Sequence, residues 1–346
     1  MIIVMEPKAT QEQIDKVVKA MENKGFRINL NQGEIMTVIA AIGDRRLFQP
    51  ASVASFDGVR EVKLIQEPFK LASRESQIED TVIEFENGVK IGGLEKPVIM
   101  AGPCSVEENL EGLLEIAHSV KAAGATILRG GAFKPRTSPY EFQGLEELGL
   151  KYLAQARKET GLLVVTEVMD TNTVDLVASY ADILQVGARN MQNFKLLKAL
   201  GECGKPVMLK RGAAATIREF LLAAEHIIYN GNPNVILCER GIKGIDSHYS
   251  RNTLDLASIP IIKKYSHLPI IVDPSHGTGR RYLIEPMSKA SLVCGAHGIM
   301  VEVHNDPDNA MCDGAQSLTL SMFDEMMKEI NQLIGRLDYD KNKASK

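Results

Sequence analysis

Residues 125–142 read ATILRGGAFKPRTSPYEF, an apolar run over Ala125–Leu128 that ends abruptly in Arg129 and opens into a loop of Gly, Pro, Ser and Thr carrying Lys134 and Arg136. The run is short enough for a buried strand, and the loop has the composition of a turn. The same pattern recurs along the chain. Strand-like runs lie at PVIMAG (97–102), LLVVTEV (162–168), DILQVGA (182–188), PVMLKRG (206–212), NVILCERG (234–241), LPIIVDP (268–274) and GIMVEVH (298–304). Amphipathic stretches such as NLEGLLEIAHSVKAAG (109–124), LGLKYLAQARKETG (148–161), TIREFLLAAEHIIYNG (216–231) and SLTLSMFDEMMKEINQLIG (317–335) separate them. Eight strands alternating with eight helices over roughly 250 residues predict a (β/α)8 TIM barrel, and an open doubly wound sheet suits that count less well. TVIEFENGVKIGG (81–93), two apolar runs around Asn87-Gly88, predicts a hairpin at the start of the barrel, which is taken as residues 81–340.

The first 66 residues read as a separate unit. Ile2–Met5 is strand-like, Thr10 is placed to cap a helix with Ile14, Val17, Val18 and Met21 at helical spacing, and Gly25 ends it. FRINLN and IMTVIAAI follow as strands, a short helix is expected near Val53, and VREVKLI is the fourth strand. This β-α-β-β-α-β order predicts a small ferredoxin-like α+β domain over 1–66, with 67–80 as the linker.

Composition narrows the function classes. A chain of 346 residues with 45% hydrophobic and 24% charged residues is an ordinary globular protein, and a net charge of -4 gives no general attraction to nucleic acid or to anionic membranes. MIIVMEPKATQEQ is unlike a secretory signal and no apolar run is long enough to span a bilayer, so a cytoplasmic protein is expected. Five cysteines without a C-x-x-C pair suit reduced thiols. No G-x-G-x-x-G opens a helix and there is no Walker loop.

A barrel gathers the ends of its strands on one face, where active sites of this fold lie. Those ends carry Cys104; Arg129, Lys134 and Arg136; Glu167; Arg189; Lys210; Arg240; Asp273 and His276; and Glu302 with His304. A single Arg or Lys after a strand is usually solvated or pairs with a helix end. Six cations crowded in one concave site repel each other unless anions sit among them, and phosphate suits guanidinium forks and a Gly-rich loop. Phosphorylated substrates are therefore expected. A second set is Cys104, His276, Glu302 and Asp313. Alone, Cys104 reads as a small buried hydrophobe and Asp313 as an Asp-Gly turn; a carboxylate inside the apolar strand IMVEV is costly unless paired or metal-bound. Together a thiolate, an imidazole and two carboxylates suit a divalent transition metal.

The stretches AGPCS, LRGGAFKPRTSPYEFQG, QVGARN, MLKRG, CERGI, VDPSHGTGRR and MVEVH with CDGAQS resemble, in this order, the 3-deoxy-D-arabino-heptulosonate 7-phosphate (DAHP) synthases. The branch resembled carries an N-terminal ferredoxin-like regulatory domain. The resemblance implies condensation of phosphoenolpyruvate with erythrose 4-phosphate and release of phosphate, at the entry to the shikimate pathway. It implies that Cys104, His276, Glu302 and Asp313 hold a divalent metal, Mn2+ or a similar ion, and that Arg129, Lys134, Arg189, Lys210 and Arg240 hold phosphoenolpyruvate. Lys134 would also move a proton, and Arg136 and Thr137 would take the aldose phosphate. It further implies tyrosine or phenylalanine as an effector and a homo-oligomer, expected to be a tetramer. Three rivals differ in class. A 3-deoxy-octulosonate 8-phosphate synthase typically has K-A-N-R-[ST]-S where this chain has KPRTS. A Schiff-base aldolase using Lys210 leaves the metal quartet unexplained, and a non-catalytic phosphosugar regulator leaves both clusters without a purpose.

Overall fold

The computed structural model describes residues 1–32, 36–43, 50–63, 67–135 and 138–337. Two compact units divide it, one of Met1–Asp80 with Lys264–His267 and the other of the remaining chain.

The first unit contains β1 (Ile2–Met5), α1 (Gln11–Glu22), β2 (Arg27–Gln32), β3 (Thr37–Ile42), α2 (Pro50–Ala54) and β4 (Val59–Lys63). The helix α1 starts where the sequence places its cap. The Thr10 side chain accepts from the Gln13 N–H while the Gln13 side chain accepts from the Thr10 N–H, a closed capping box. All strand pairs are antiparallel, in the order β2-β3-β1-β4, which is the ferredoxin-like arrangement. Ile14, Val17 and Met21 of α1 pack on Ile3, Met5 and Ile39 of the sheet, so the helical and strand periodicities meet in one core. Residues 67–80 also carry buried side chains, among them Phe69, Leu71, Ala72, Ser73 and Ser76. Arg74 N–H donates to the Tyr265 carbonyl at 2.8 Å, and the His267 ring Nε2 lies 2.7 Å from the Leu71 carbonyl.

The second unit opens with the hairpin β5 (Val82–Glu84) and β6 (Lys90–Gly92). Its turn places Gly88 at φ 82°, a left-handed conformation that costs a glycine nothing. The barrel strands are β7 (Val98–Gly102), β8 (Ile127–Arg129), β9 (Leu163–Glu167), β10 (Ile183–Val186), β11 (Val207–Lys210), β12 (Val235–Glu239), β13 (Ile270–Val272) and β14 (Gly298–Glu302). They close in that order, β14 pairing with β7, and every pair is parallel. The outer helices are α3 (Leu110–Ala122), α4 (Glu147–Thr160), α5 (Val174–Tyr180), α6 (Phe194–Glu202), α7 (Ile217–Tyr229), α8 (Ser258–Tyr265), α10 (Arg281–Val293) and α11 (Leu320–Arg336), with a one-turn α9 (Pro274–Thr278) after β13. Alternate strand residues, including Met100, Ile127, Met208, Ile236 and Cys238, fill the barrel interior, and Ile83 and Ile91 of the hairpin join them. Parallel strands covered on both faces read as near-continuous apolar runs, which is why each was legible. No helix among the described residues is long and apolar enough to cross a membrane.

His267 gives the fold a pH dependence. Burial pulls its pKa down from 6.5 to about 4, against the raising effect of its bond to the Leu71 carbonyl. Above 6.5 both folded and unfolded chains hold it neutral. Between 6.5 and 4 the unfolded chain takes a proton that the folded chain refuses, so stability falls as pH falls through that window. Urea unfolding at pH 7 and pH 4.5 is expected to show a greater acid loss in the wild type than in His267→Gln, by up to about 3 kcal/mol. Equal losses would show that this ring does not set the slope.

Candidate active site

The strand ends converge because the tops of β7 and β8 approach each other closely. Gly102 sits at φ 149°, and a Cβ there would lie 2.2 Å from the Arg129 carbonyl oxygen. Only glycine fits, and the approach brings Cys104 over Arg129. On the other flank of β7, Glu302 pairs in register with Gly102. Asp273 caps α9 by accepting from the His276 N–H at 2.9 Å, which turns the His276 ring toward the same point.

There the Cys104 sulfur, a His276 ring nitrogen and one carboxylate oxygen each of Glu302 and Asp313 lie within 4.8 Å of one another. His276 Nε2 is 3.3 Å from Glu302 Oε1 and 3.9 Å from Asp313 Oδ2, and Cys104 Sγ is 3.4 Å from the same Asp313 oxygen. The opposite ring nitrogen, Nδ1, is 2.7 Å from Asp273 Oδ2, so Nδ1 carries the proton and Nε2 is left as a lone-pair donor. Burial lowers the His276 pKa further, keeping the ring neutral. Burial alone would raise the Glu302 carboxyl, but His276, charged only once acid protonates it, and Arg129 outweigh it and hold the carboxyl at about 2. A neutral imidazole, ionised carboxylates and a thiol in reach form a donor set that fits a divalent transition ion.

The cations stand around this point, several of them held by anions. Arg129 donates to Glu302 Oε1 at 2.8 Å and to the Pro103 carbonyl at 2.9 Å. Lys134 Nζ reaches the Cys104 carbonyl at 3.0 Å and Cys104 Sγ at 3.1 Å. Burial opposes the Lys134 charge, yet the neighbouring thiols Cys104 and Cys312 prevail and raise its pKa. Lys210 Nζ sits 2.6 Å from Asp273 Oδ2, and that carboxyl is held well below its usual range, because His276 and Lys210 overcome its burial. Arg240 is 9% exposed and has no hydrogen-bond or ion-pair partner among the described residues. Arg189 is exposed and donates to the Pro135 carbonyl at 2.5 Å. All five line one cavity of about 160 Å³ together with His276 and Asp313. Arg136 and Thr137 lie outside the described residues.

Four neighbours, Cys312, Gln316, Arg251 and Gln185, were not singled out from sequence as site residues. Cys312 Sγ is 3.1 Å from Cys104 Sγ, unbonded. A hydrogen bond between the two sulfurs and burial push the Cys104 thiol well up, and the same bond draws Cys312 down. Gln316 donates to Glu302 Oε2 at 2.5 Å, Arg251 reaches Gln316 Oε1 at 3.2 Å, and Glu167 accepts from Gln185 at 3.0 Å on the cavity wall. Cys312 and Gln316 flank Asp313 within MCDGAQ, which was a usable signal; Arg251, in a long loop, had none.

The model of the DAHP synthetase I family matches residues 80–336, and that of the DAHP synthase ferredoxin-like domain matches residues 1–67. A Phospho-2-dehydro-3-deoxyheptonate aldolase of Thermotoga maritima is 50% identical over 97% of this chain and 98% of its own length. A crystal structure of the Thermotoga maritima enzyme, titled as DAHP synthase, superposes with a TM-score of 0.77 and covers 97% of both chains. A 2-dehydro-3-deoxyphosphooctonate aldolase of Syntrophobacter fumaroxidans is 32% identical over 71% of this chain and 90% of its own.

Asp273 supports His276 from behind the donor set. Asp273→Asn is expected to weaken divalent-ion affinity by about 10–100-fold, read by competition with a chromogenic chelator. Unchanged affinity would remove Asp273 from the support of the site.

Proposed function

The chain belongs to the DAHP synthetase I family, and on that premise we propose that it condenses phosphoenolpyruvate with D-erythrose 4-phosphate and water. The products are 3-deoxy-D-arabino-heptulosonate 7-phosphate and phosphate, and the reaction is the first step of the shikimate pathway to aromatic amino acids. The observation that carries this reading is the near-complete, two-domain match to a relative of that name, joined to a cavity walled by cations. The Syntrophobacter relative shares the barrel at lower identity and over less of the chain.

In this reading Arg129, Lys134, Arg189, Lys210 and Arg240 bind the carboxylate and phosphate of phosphoenolpyruvate and fix its enol carbon in attack geometry. Arg136 and Thr137 take the phosphate of the aldose. A divalent transition ion, Mn2+ or similar, held by Cys104, His276, Glu302 and Asp313 supplies Lewis-acid polarisation of the aldehyde. As the methylene carbon of phosphoenolpyruvate bonds to the aldehyde carbon, the adjacent carbon that bears the phosphate oxygen becomes cationic and accepts water, and its bond to that oxygen then breaks to release phosphate and leave a ketone. Lys134, kept as an ammonium beside sulfur, is suited to deliver a proton to the oxygen that the aldehyde carbonyl becomes. A reducing compartment, the cytoplasm, suits two unbonded thiols 3.1 Å apart.

Phosphate release from phosphoenolpyruvate should proceed at least about tenfold faster with erythrose 4-phosphate than with arabinose 5-phosphate. A chelator should abolish it and manganese restore it. The reverse preference, or full turnover by protein shown to be metal-free, would overturn the assignment.

The match of residues 1–67 to a domain of this family supports a regulatory role for the first unit. We propose that tyrosine or phenylalanine inhibits the enzyme by binding one arrangement of a homo-oligomer, a tetramer, better than another; equal affinity would shift nothing. A chain beginning at Glu67 keeps the buried Phe69 and Leu71. It should remain active and lose the inhibition when both amino acids are titrated at fixed substrate. Inhibition that survives unchanged would move the effector site out of residues 1–66.

A further inference from the structure

Each buried cation of the cavity except one is aimed by a partner. Arg129 has Glu302, Lys134 has the Cys104 sulfur, and Lys210 has Asp273. Arg240 has no such partner among the described residues, so its backbone must aim it. That backbone turn is built on a second charge cluster, on the other face of the barrel wall.

The alternation of β11 and β12 creates this arrangement. Met208, Ile236 and Cys238 fill the interior, so Lys210 and Arg240 continue inward along the same rows, while Arg211 and Glu239 point away. Arg211 is 4% exposed and Glu239 is 0% exposed. Arg211 Nη1 lies 2.9 Å from Glu239 Oε2 and 2.8 Å from Asp255 Oδ2, and its Nε donates to the Ala215 carbonyl at 2.9 Å. The other oxygen of Glu239 turns back and accepts from the Gly241 N–H at 2.6 Å. This bond, from residue 239 to residue 241, spans Arg240 and bends the chain around it. Gly241 takes φ 90°, and a Cβ there would meet the Asn252 Cβ at 2.7 Å and the Gly277 Cα at 3.0 Å. Asn252 in turn donates to the His276 carbonyl at 3.1 Å. The turn bearing Arg240 is thus held from behind by charge and wedged in front against the loop bearing His276.

We propose that Arg211, Glu239 and Asp255 form a positioning cluster that aims Arg240 at the phosphoenolpyruvate site. The proposal rests on the substrate assignment above. A buried ion cluster is poor evidence of a stability device, since packed apolar side chains usually serve as well. Apolar residues have no acceptor for the Gly241 N–H and cannot fix the turn. The cluster therefore supplies direction to Arg240 more than strength to the fold.

The test is a mutant cycle. Glu239→Gln keeps an acceptor for Gly241 and removes the charge that holds Arg211. It is expected to raise the Kd for phosphoenolpyruvate by about tenfold, read by calorimetry, and to raise its KM in parallel. The KM for erythrose 4-phosphate should stay within about twofold. In an Arg240→Lys background, which already lacks the aimed guanidinium, Glu239→Gln should add less than about twofold. A purely structural role would lower the active fraction without moving Kd, or would multiply with Arg240→Lys; either result overturns the proposal. Asp255→Asn, at the more exposed edge of the cluster, takes the place of Glu239→Gln in the same cycle if thermal melting shows that the latter does not fold. A wild-type protein that binds no phosphoenolpyruvate overturns this inference and the activity reading together. One that binds it but ignores erythrose 4-phosphate overturns only the activity reading.

Discussion

A single buried carboxylate organises the mouth of the barrel. Glu302 is fully buried, and an ionised carboxylate there costs several kcal/mol unless its oxygens are satisfied. Both are. Oε1 accepts from Arg129 at 2.8 Å, Oε2 accepts from Gln316 at 2.5 Å, and the unprotonated His276 Nε2 stands 3.3 Å from Oε1. These partners come from β8, α9 and the loop after β14, so one side chain links three crossings of the barrel wall. The backbone is constrained to allow it. Glu302 pairs in register with Gly102, whose missing side chain lets β7 and β8 close over Arg129.

From that centre, anions and cations alternate outward. Asp273 lies between His276 and Lys210 and connects the donor set to the cation-lined wall of the cavity. Lys134 bridges the other way, from the cation wall to the Cys104 sulfur. Few of these groups are free to relax, because their neighbours fix both the charge and the direction of each. Such a site is assembled before substrate arrives, which is how positioning lowers a barrier without reorganisation during the reaction.

The fold was largely legible in the sequence, and the reasons are specific. Apolar strand runs, the Thr10 cap with Gln13 three residues on, and Asn87-Gly88 between apolar pairs are local signals, and each produced the element expected. Arg129, Lys134, Lys210, Arg240, His276 and Glu302 were legible because a barrel turns position after a strand into position on a face. Asp313 was grouped with the donor set although its own Asp-Gly context reads as a turn. It sits in a loop at φ 52°, a conformation that Asp adopts more readily than most residues but that nothing nearby in the sequence announces. Arg251 was missed because its loop runs on for many residues after β12 and is placed by bonds from Arg251 to Thr278 and Gln316 and from Asn252 to His276 and Gly277. Long-range packing of this kind has no period to read. Residues 67–80, assigned as the linker, contain a buried run at Phe69–Ser73, which the mixed composition of QEPFKLASRES did not reveal.

The outward-facing charges at the strand ends show why residue type alone could not finish the reading. Lys210 and Arg211 are adjacent, as are Glu239 and Arg240, and in sequence each looks like one charged patch. The two-residue period of a strand sends them to opposite faces, and their surroundings then give them opposite tasks. On the inner face Lys210 meets the one carboxylate of Asp273, which it shares with His276, and Arg240 has no ion-pair partner among the described residues. On the outer face Arg211 is neutralised in full by two carboxylates, and it can act only through the backbone that it holds. A charge that is fully paired has little left to offer a ligand, whereas Arg240, 9% exposed and without a hydrogen-bond or ion-pair partner among the described residues, has most of its binding capacity left. The division between structure and recognition in this barrel therefore follows which face of a strand a charge occupies and how far its neighbours have already satisfied it.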